Sequence, residues 1–159
     1  MIKKGDTLFK IAGDKDVYGD PLKWPSLFRL NMDAIIEMDL TDDFEHRALP
    51  EALILRSLTP QEAKKNLTKL GHRAWVINIL SAYTSNAIVP LAINLMKNGY
   101  HVYITRANVQ GKELLRLRVG FFKGLAETSS ATEALSSLIN LDDFWVTTSE
   151  KELREFGGY

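Results

Sequence analysis

Asn78, Arg116 and Arg118, with Tyr103 and Trp145 in neighbouring runs of alternating character, are the residues of this chain whose types and spacing suit a chemical task. An amide, two guanidinium groups and two aromatic rings on one surface suit a polar, uncharged ligand with apolar ring edges. Fixed donors and acceptors orient such a ligand, and the rings give it area to stack on. A reaction centre is not expected. His46, His72 and His101 are isolated, without a His-Glu-x-x-His spacing and without any cysteine to join them, so neither a zinc site nor a cofactor is implied. There is no Gly-x-Ser-x-Gly elbow and no Gly-x-x-x-x-Gly-Lys phosphate loop. The run Asp39, Asp42, Asp43 and Glu45 lacks the turn glycine of a calcium loop and reads as a solvated connection.

A sheet must carry these side chains. From Arg73 onward, four short runs (AWVINIL, YHVYIT, LLRLRVG and FWVTTS) alternate with helical stripes. Strand, helix, strand, strand, helix, strand is the split βαβ, or ferredoxin-like, order, whose first and third strands are central. Ile88, Leu91, Ala92, Leu95 and Met96 mark the first helical stripe. Ala131, Ala134, Leu135, Leu138 and Ile139 mark the second, behind a capping box of Ser130 and Glu133. With both helices on one side, the other face of an antiparallel sheet meets solvent. Period-two alternation sends Ile77, Ile79, Val102, Ile104, Leu115, Leu117 and Val119 inward. Outward go Asn78, Leu80, His101, Tyr103, Thr105, Leu114, Arg116, Arg118 and Trp145.

The amino-terminal stretch has its own grammar. In IKKGDTLFKIA a short strand meets a turn at Gly5 and Asp6, Asp6 caps a helix from about Thr7, and Leu8, Ile11 and Ala12 follow at helical spacing. Trp24, Leu27 and Phe28 mark a second helix that starts near Lys23 and stops at Asn31. An acidic connection then leads to a strand in ALILRSL. This βααβ unit, residues 1–59, is followed by a connector at 60–72. There Thr59 and Glu62 form a capping box, Pro60 takes the first helical position and Gly71 supplies the stop, which predicts a short stiff helix. The second unit occupies 73–149, and the charged tail 150–159 either forms an extra helical turn or frays. The class is α+β.

Charge and composition narrow the partners. Twenty basic and twenty acidic side chains among 159 residues cancel, so no global field recruits a polyanion or an anionic membrane. The longest apolar run, AIVPLAINLM, has ten residues and a proline, too short for a bilayer span. No signal-peptide core follows Met1, so an export signal is not expected within this chain.

Two resemblances attach to these residues. The opening Lys-Gly-Asp-Thr-Leu, the Trp24–Pro25 pair and Asn31 make residues 2–59 look like a LysM domain, a βααβ module similar to others that bind chitin and peptidoglycan through N-acetylglucosamine. VINILSAY and LRLRVGFFKG make residues 74–149 resemble a SPOR domain, the sporulation-related repeat that recognises peptidoglycan glycan strands stripped of stem peptides. The first resemblance implies a groove at Gly5, Asp6, Thr7 and Leu8, with residues near Asn31–Asp33 and Leu49–Ala52. The second implies contacts from Asn78, where the family has glutamine, from Ser81, and from the strand-three arginine Arg116. Together they imply non-catalytic binding of peptidoglycan glycan strands by a bacterial cell-envelope protein, periplasmic and associated with cell division. Pro50–Glu51 replaces the family's Pro-Gly and Leu80 its glycine, which keeps open a protein-assembly adaptor as the alternative. Nucleic-acid binding by the sheet ranks below both. The central strands lack paired aromatics, and residues 73–149 carry seven basic against five acidic side chains.

Overall fold

The computed structural model describes residues 2–51 and 53–159. Its amino-terminal part is helical. Thr7, rather than Asp6, caps helix α1 (Leu8–Gly13), its hydroxyl accepting from the Lys10 amide, while Asp6 turns back to accept from the Lys3 amide at 2.8 Å. A 3-10 turn at Pro21–Lys23 leads into α2 (Trp24–Leu30), with Pro25 in the first turn, where its missing N–H costs nothing. A short helix α3 (Met32–Ile35) follows in the acidic connection, because Ile35 is drawn wholly into the core.

Among the described residues, the two strands expected in this part do not form. Residues 2–7 and 53–58 share a single backbone bond, from the Ile2 amide to the Leu53 carbonyl at 2.8 Å. Gly5 turns the chain away with φ +85°, and the backbone of Arg56 is bonded instead to the side chain of Asn31. The Ala52 position of the expected groove lies outside the described residues.

The connector forms as predicted. Helix α4 (Pro60–Leu70) has the reciprocal Thr59–Glu62 capping box at its start and Gly71 at its stop. It lies against the rest of the protein through Ala63, Leu67 and Leu70.

Strands β1 (Trp75–Ala82), β2 (His101–Val109), β3 (Lys112–Phe122) and β4 (Trp145–Thr148) form one antiparallel sheet in the order β2-β3-β1-β4. Helix α5 (Val89–Lys97) lies between β1 and β2, and α6 (Leu125–Ile139) between β3 and β4. Helix α6 begins well before the predicted Ser130–Glu133 box, which falls inside it. Its start is held instead by Glu127, which accepts from the Lys123 amide and pairs with Arg73 at 3.0 Å. Only the line through Thr128 and Leu135 is fully covered, and the expected core positions Ala134 and Leu138 are exposed.

The inner face of the sheet and the amino-terminal helices share one hydrophobic cluster. Leu22, Trp24, Leu27 and Phe28 belong to it together with Ile77, Ile104, Leu117 and Val119. β1 carries a bulge between Asn78 and Leu80, and this corrects the alternation. Leu80 pairs with Leu117 and packs against the main core rather than facing out, and Ser81 comes out opposite Arg116. Finally, residues 150–156 are a helix, α7 (Glu150–Phe156), capped by Ser149, whose hydroxyl accepts from the Glu152 amide at 3.1 Å. No described helix is long and apolar enough to cross a membrane.

Candidate binding face of the sheet

Registration places the predicted residues in one row. Tyr103 on β2 pairs with Arg118 on β3, Arg118 with Asn78 on β1, and Asn78 with Trp145 on β4. The row was legible from the alternation, but its openness was not. Helix α7 lies across it, so Asn78, Tyr103 and Arg118 are buried, and the expectation that they meet solvent is corrected. The cause is a charge and an aromatic match. Arg118 Nη1 donates to both oxygens of Glu152 at 2.9 and 2.8 Å, its Nε donates to Asn78 Oδ1 at 3.2 Å, and the Tyr103 hydroxyl donates to Glu152 at 2.6 Å. Tyr103 is sandwiched between Phe121 and Phe156, with centroids 5.1 and 4.9 Å away and nearly parallel rings. Burial and the adjoining Glu152 carboxylate push the Tyr103 phenol up, so it stays protonated and donates. Ala74, Val76 and Leu153, with Leu67 and Leu70 of α4, complete this second cluster.

The other half of the face is uncovered. There Thr105, Arg116 and Ser81 form the next row, with Ser81 exposed and Arg116 and Thr105 half-buried. Trp145 is 44% exposed, and its ring stands 4.9 Å from the Arg118 guanidinium and 5.7 Å from that of Arg116. Arg118 is therefore a brace for Trp145, fixed from below by Glu152. Arg116 forms no ion pair among the described residues, and its buried Nε has no partner. Asn78 reaches this half through its side-chain nitrogen, which donates to the Ser81 hydroxyl at 3.4 Å.

The amino-terminal set separates in the same way. Thr7 is a helix cap, Leu8 is fully buried, and Asn31 is a buried clamp. Its amide nitrogen donates to the Leu27 and Arg56 carbonyls, and its oxygen accepts from the Arg56 amide. These side chains are committed to the fold. Gly5 is exposed, and Asp6 lines a cleft of about 410 Å³ with Lys3, Lys10, Asp14, Arg56 and Ser57.

Protein-family models, curated proteins and solved structures give no match to this chain.

Sequence reasoning missed one acid. Glu45, read as part of a solvated run, is 1% exposed, and neither carboxylate oxygen has a partner. It lies in a cleft of about 240 Å³ shared with Trp24, Ser85, Ile88 and Ile104. Burial, reinforced by Asp43 and Asp42, raises its carboxyl to about 7. Phe44, wholly buried beside it and packed edge-on to Phe28, was the available signal, since an apolar anchor in an acidic run pulls its neighbour inward.

Proposed function

We propose that this chain is a non-catalytic binder of peptidoglycan glycan strands in the bacterial cell envelope, using the uncovered half of the sheet. Trp145 supplies a stacking surface for a sugar ring. Arg116, Ser81 and Thr105 supply donors and acceptors for its hydroxyl and acetamido groups. The observation that carries the reading is the exposed Trp145 ring, held by the buried Arg118 beside the unpaired Arg116. A preformed aromatic platform binds without first losing rotamer freedom. The LysM-like and SPOR-like motifs support the same ligand class. The Asp6–Arg56 cleft is the place where the amino-terminal unit would add a second contact, raising retention through effective concentration.

Retention of the full chain on purified sacculi, intact and stripped of stem peptides, tests this. Trp145→Ala and Arg116→Ala are each expected to weaken retention about tenfold or more, as loss of a central aromatic or arginine contact does. Unchanged retention of both variants would remove the sheet from the site. Leu125, at 59% exposure, and Leu141, at 38%, favour the adaptor as the second reading. It predicts no retention on sacculi of either kind.

A further inference from the structure

The cleft of about 240 Å³ that holds Glu45 lies between the amino-terminal helices and the inner face of the sheet, and its lining residues fall between Phe9 and Leu115. Trp24, Ile88 and Ile104 are buried and make an apolar floor, whereas Tyr83 and His46 are exposed and stand at the mouth. The half-buried Phe9 ring packs on the His46 imidazole, with centroids 4.5 Å apart. Glu45 is sunk among these groups, and neither of its oxygens has a hydrogen-bond partner. It forms no ion pair among the described residues. Arg106, the guanidinium in the lining, is turned instead to Glu113 at 3.5 Å.

A buried carboxyl with both acceptors idle departs from the rule that buried polar groups are bonded. Burial first, and then the charges of Asp43 and Asp42, draw it up to about 7, so both its forms are populated near neutral pH. Ser85 and the Glu45 main-chain amide favour the charged form without completing a hydrogen bond to it. Arg106 and Glu113 offset each other at the rim, which leaves Glu45, Asp42 and Asp43 to make the cleft negative. A cation that reaches the floor makes charge-assisted bonds there, in surroundings that screen them far less than water does. The aromatic rings around it favour the same sign of charge.

We propose that this cleft binds a small primary amine with an apolar body. Its ammonium group donates to the Glu45 carboxylate, and its hydrocarbon lies against Trp24, Ile88 and Ile104 with the Tyr83 ring beside it at the mouth. Exposed side chains such as Tyr83 and His46 change rotamer within nanoseconds, which opens the way to the floor. A divalent metal matches less well. Calcium takes about six to eight oxygen ligands, and the described residues hold no group of three acids or histidines that could supply a metal site. The cleft shares no residue with the open half of the sheet, so it stands or falls separately from glycan binding.

Phenethylamine is the probe, and phenethyl alcohol is its uncharged counterpart. The full chain is titrated with each, followed by calorimetry and by the NMR signal of the Trp24 indole N–H. Saturable binding of the amine with a shift at Trp24 is expected, and the alcohol should bind about tenfold more weakly because the charge-assisted bonds are lost. The amine stays protonated between about pH 6 and 8, and its affinity should rise about tenfold over that range as Glu45 ionises. Tyr83→Ala, at an exposed position that leaves the fold intact, should weaken the amine about two- to fivefold. Glu45→Gln should weaken it at least about tenfold; the amine-to-alcohol comparison on the unaltered chain covers the case in which that variant does not fold. The proposal is overturned by no shift at Trp24 up to about 20 mM phenethylamine, well beyond a millimolar Kd. Equal binding of amine and alcohol, an affinity that does not rise with pH, or unchanged binding by a folded Glu45→Gln variant overturns it as well.

Discussion

Replacing Glu152 with alanine removes the acceptor of three hydrogen bonds, two from Arg118 and one from Tyr103. The Arg118 side chain is 3% exposed and that of Glu152 15%, so the pair is largely dry. Removing one partner from a buried ion pair costs about 3–5 kcal/mol, because the remaining charge is left uncompensated. The molecule has one escape. The seven-residue α7 can swing out and let water reach Arg118, at the expense of exposing Leu153 and Phe156. Re-exposing those two side chains costs about 1.5–3 kcal/mol each, which limits the loss to a similar size. A decrease of about 3 kcal/mol is therefore expected in urea unfolding followed by tryptophan fluorescence. Hydrogen exchange distinguishes the two routes, since the escape strips protection from the amides of 150–156 alone. Glu152→Gln, which keeps an acceptor, should lose about 1–2 kcal/mol. The double variant Arg118→Met with Glu152→Leu should return close to the starting stability. A loss below about 1 kcal/mol for Glu152→Ala with α7 still protected would show that the pair does not hold the helix down.

Two buried groups give opposite pH dependences. Glu45, raised to about 7, binds more protons in the folded chain, so its contribution declines as pH rises from the ordinary carboxylate range through 7. His101, lowered to about 3, binds fewer protons when folded, so its contribution is lost as pH falls below the ordinary imidazole range. Their slopes oppose each other between about pH 4.5 and 6.5. Glu45→Gln should therefore steepen the acid-side loss and gain on the order of 2 kcal/mol at pH 8, allowing for screening at the cleft, as read from unfolding midpoints across pH. A Cβ at Gly158 would stand inside the contact distance of the Ala63 carbonyl oxygen and 2.9 Å from its carbon, and α4 backbone cannot yield as a side chain would. Gly158→Ala should cost about 1–3 kcal/mol and lower the thermal midpoint. Thr59→Ala removes one half of the capping box and should cost about 1 kcal/mol, with helical signal lost at α4 in amide exchange.

The order of strands and helices after Arg73 was legible from the period-two runs and the α5 stripe, whereas the stripe expected of α6 leaves Ala134 and Leu138 exposed. Two kinds of information were hidden. A bulge leaves no mark on alternation, so Leu80 and Ser81 exchanged faces without a signal in their types. Helix α7 reads as a charged tail, since only Leu153 and Phe156 among its seven residues are apolar. What docks it is Glu152 meeting Arg118, a pairing between residues far apart in sequence that neither segment announces. The same blindness applies to Asn31. Its type suited a helix terminator and a ligand contact equally, and only the Arg56 backbone across from it decides for the clamp. Trp145 and Ser81 stay exposed and Arg116 half-buried because, among the described residues, α7 lies over the neighbouring row and not over theirs.

The stack of Phe121, Tyr103 and Phe156 has a consequence for the making of the protein. Its members join across more than fifty positions, and the third ring arrives on the helix that follows the completed sheet. With a ribosome adding about 5–20 residues per second, Tyr103 waits roughly 3–10 s for Phe156 to appear. Until α7 is made, Tyr103 and Phe121 lack their third ring and Arg118 lacks its carboxylate partner.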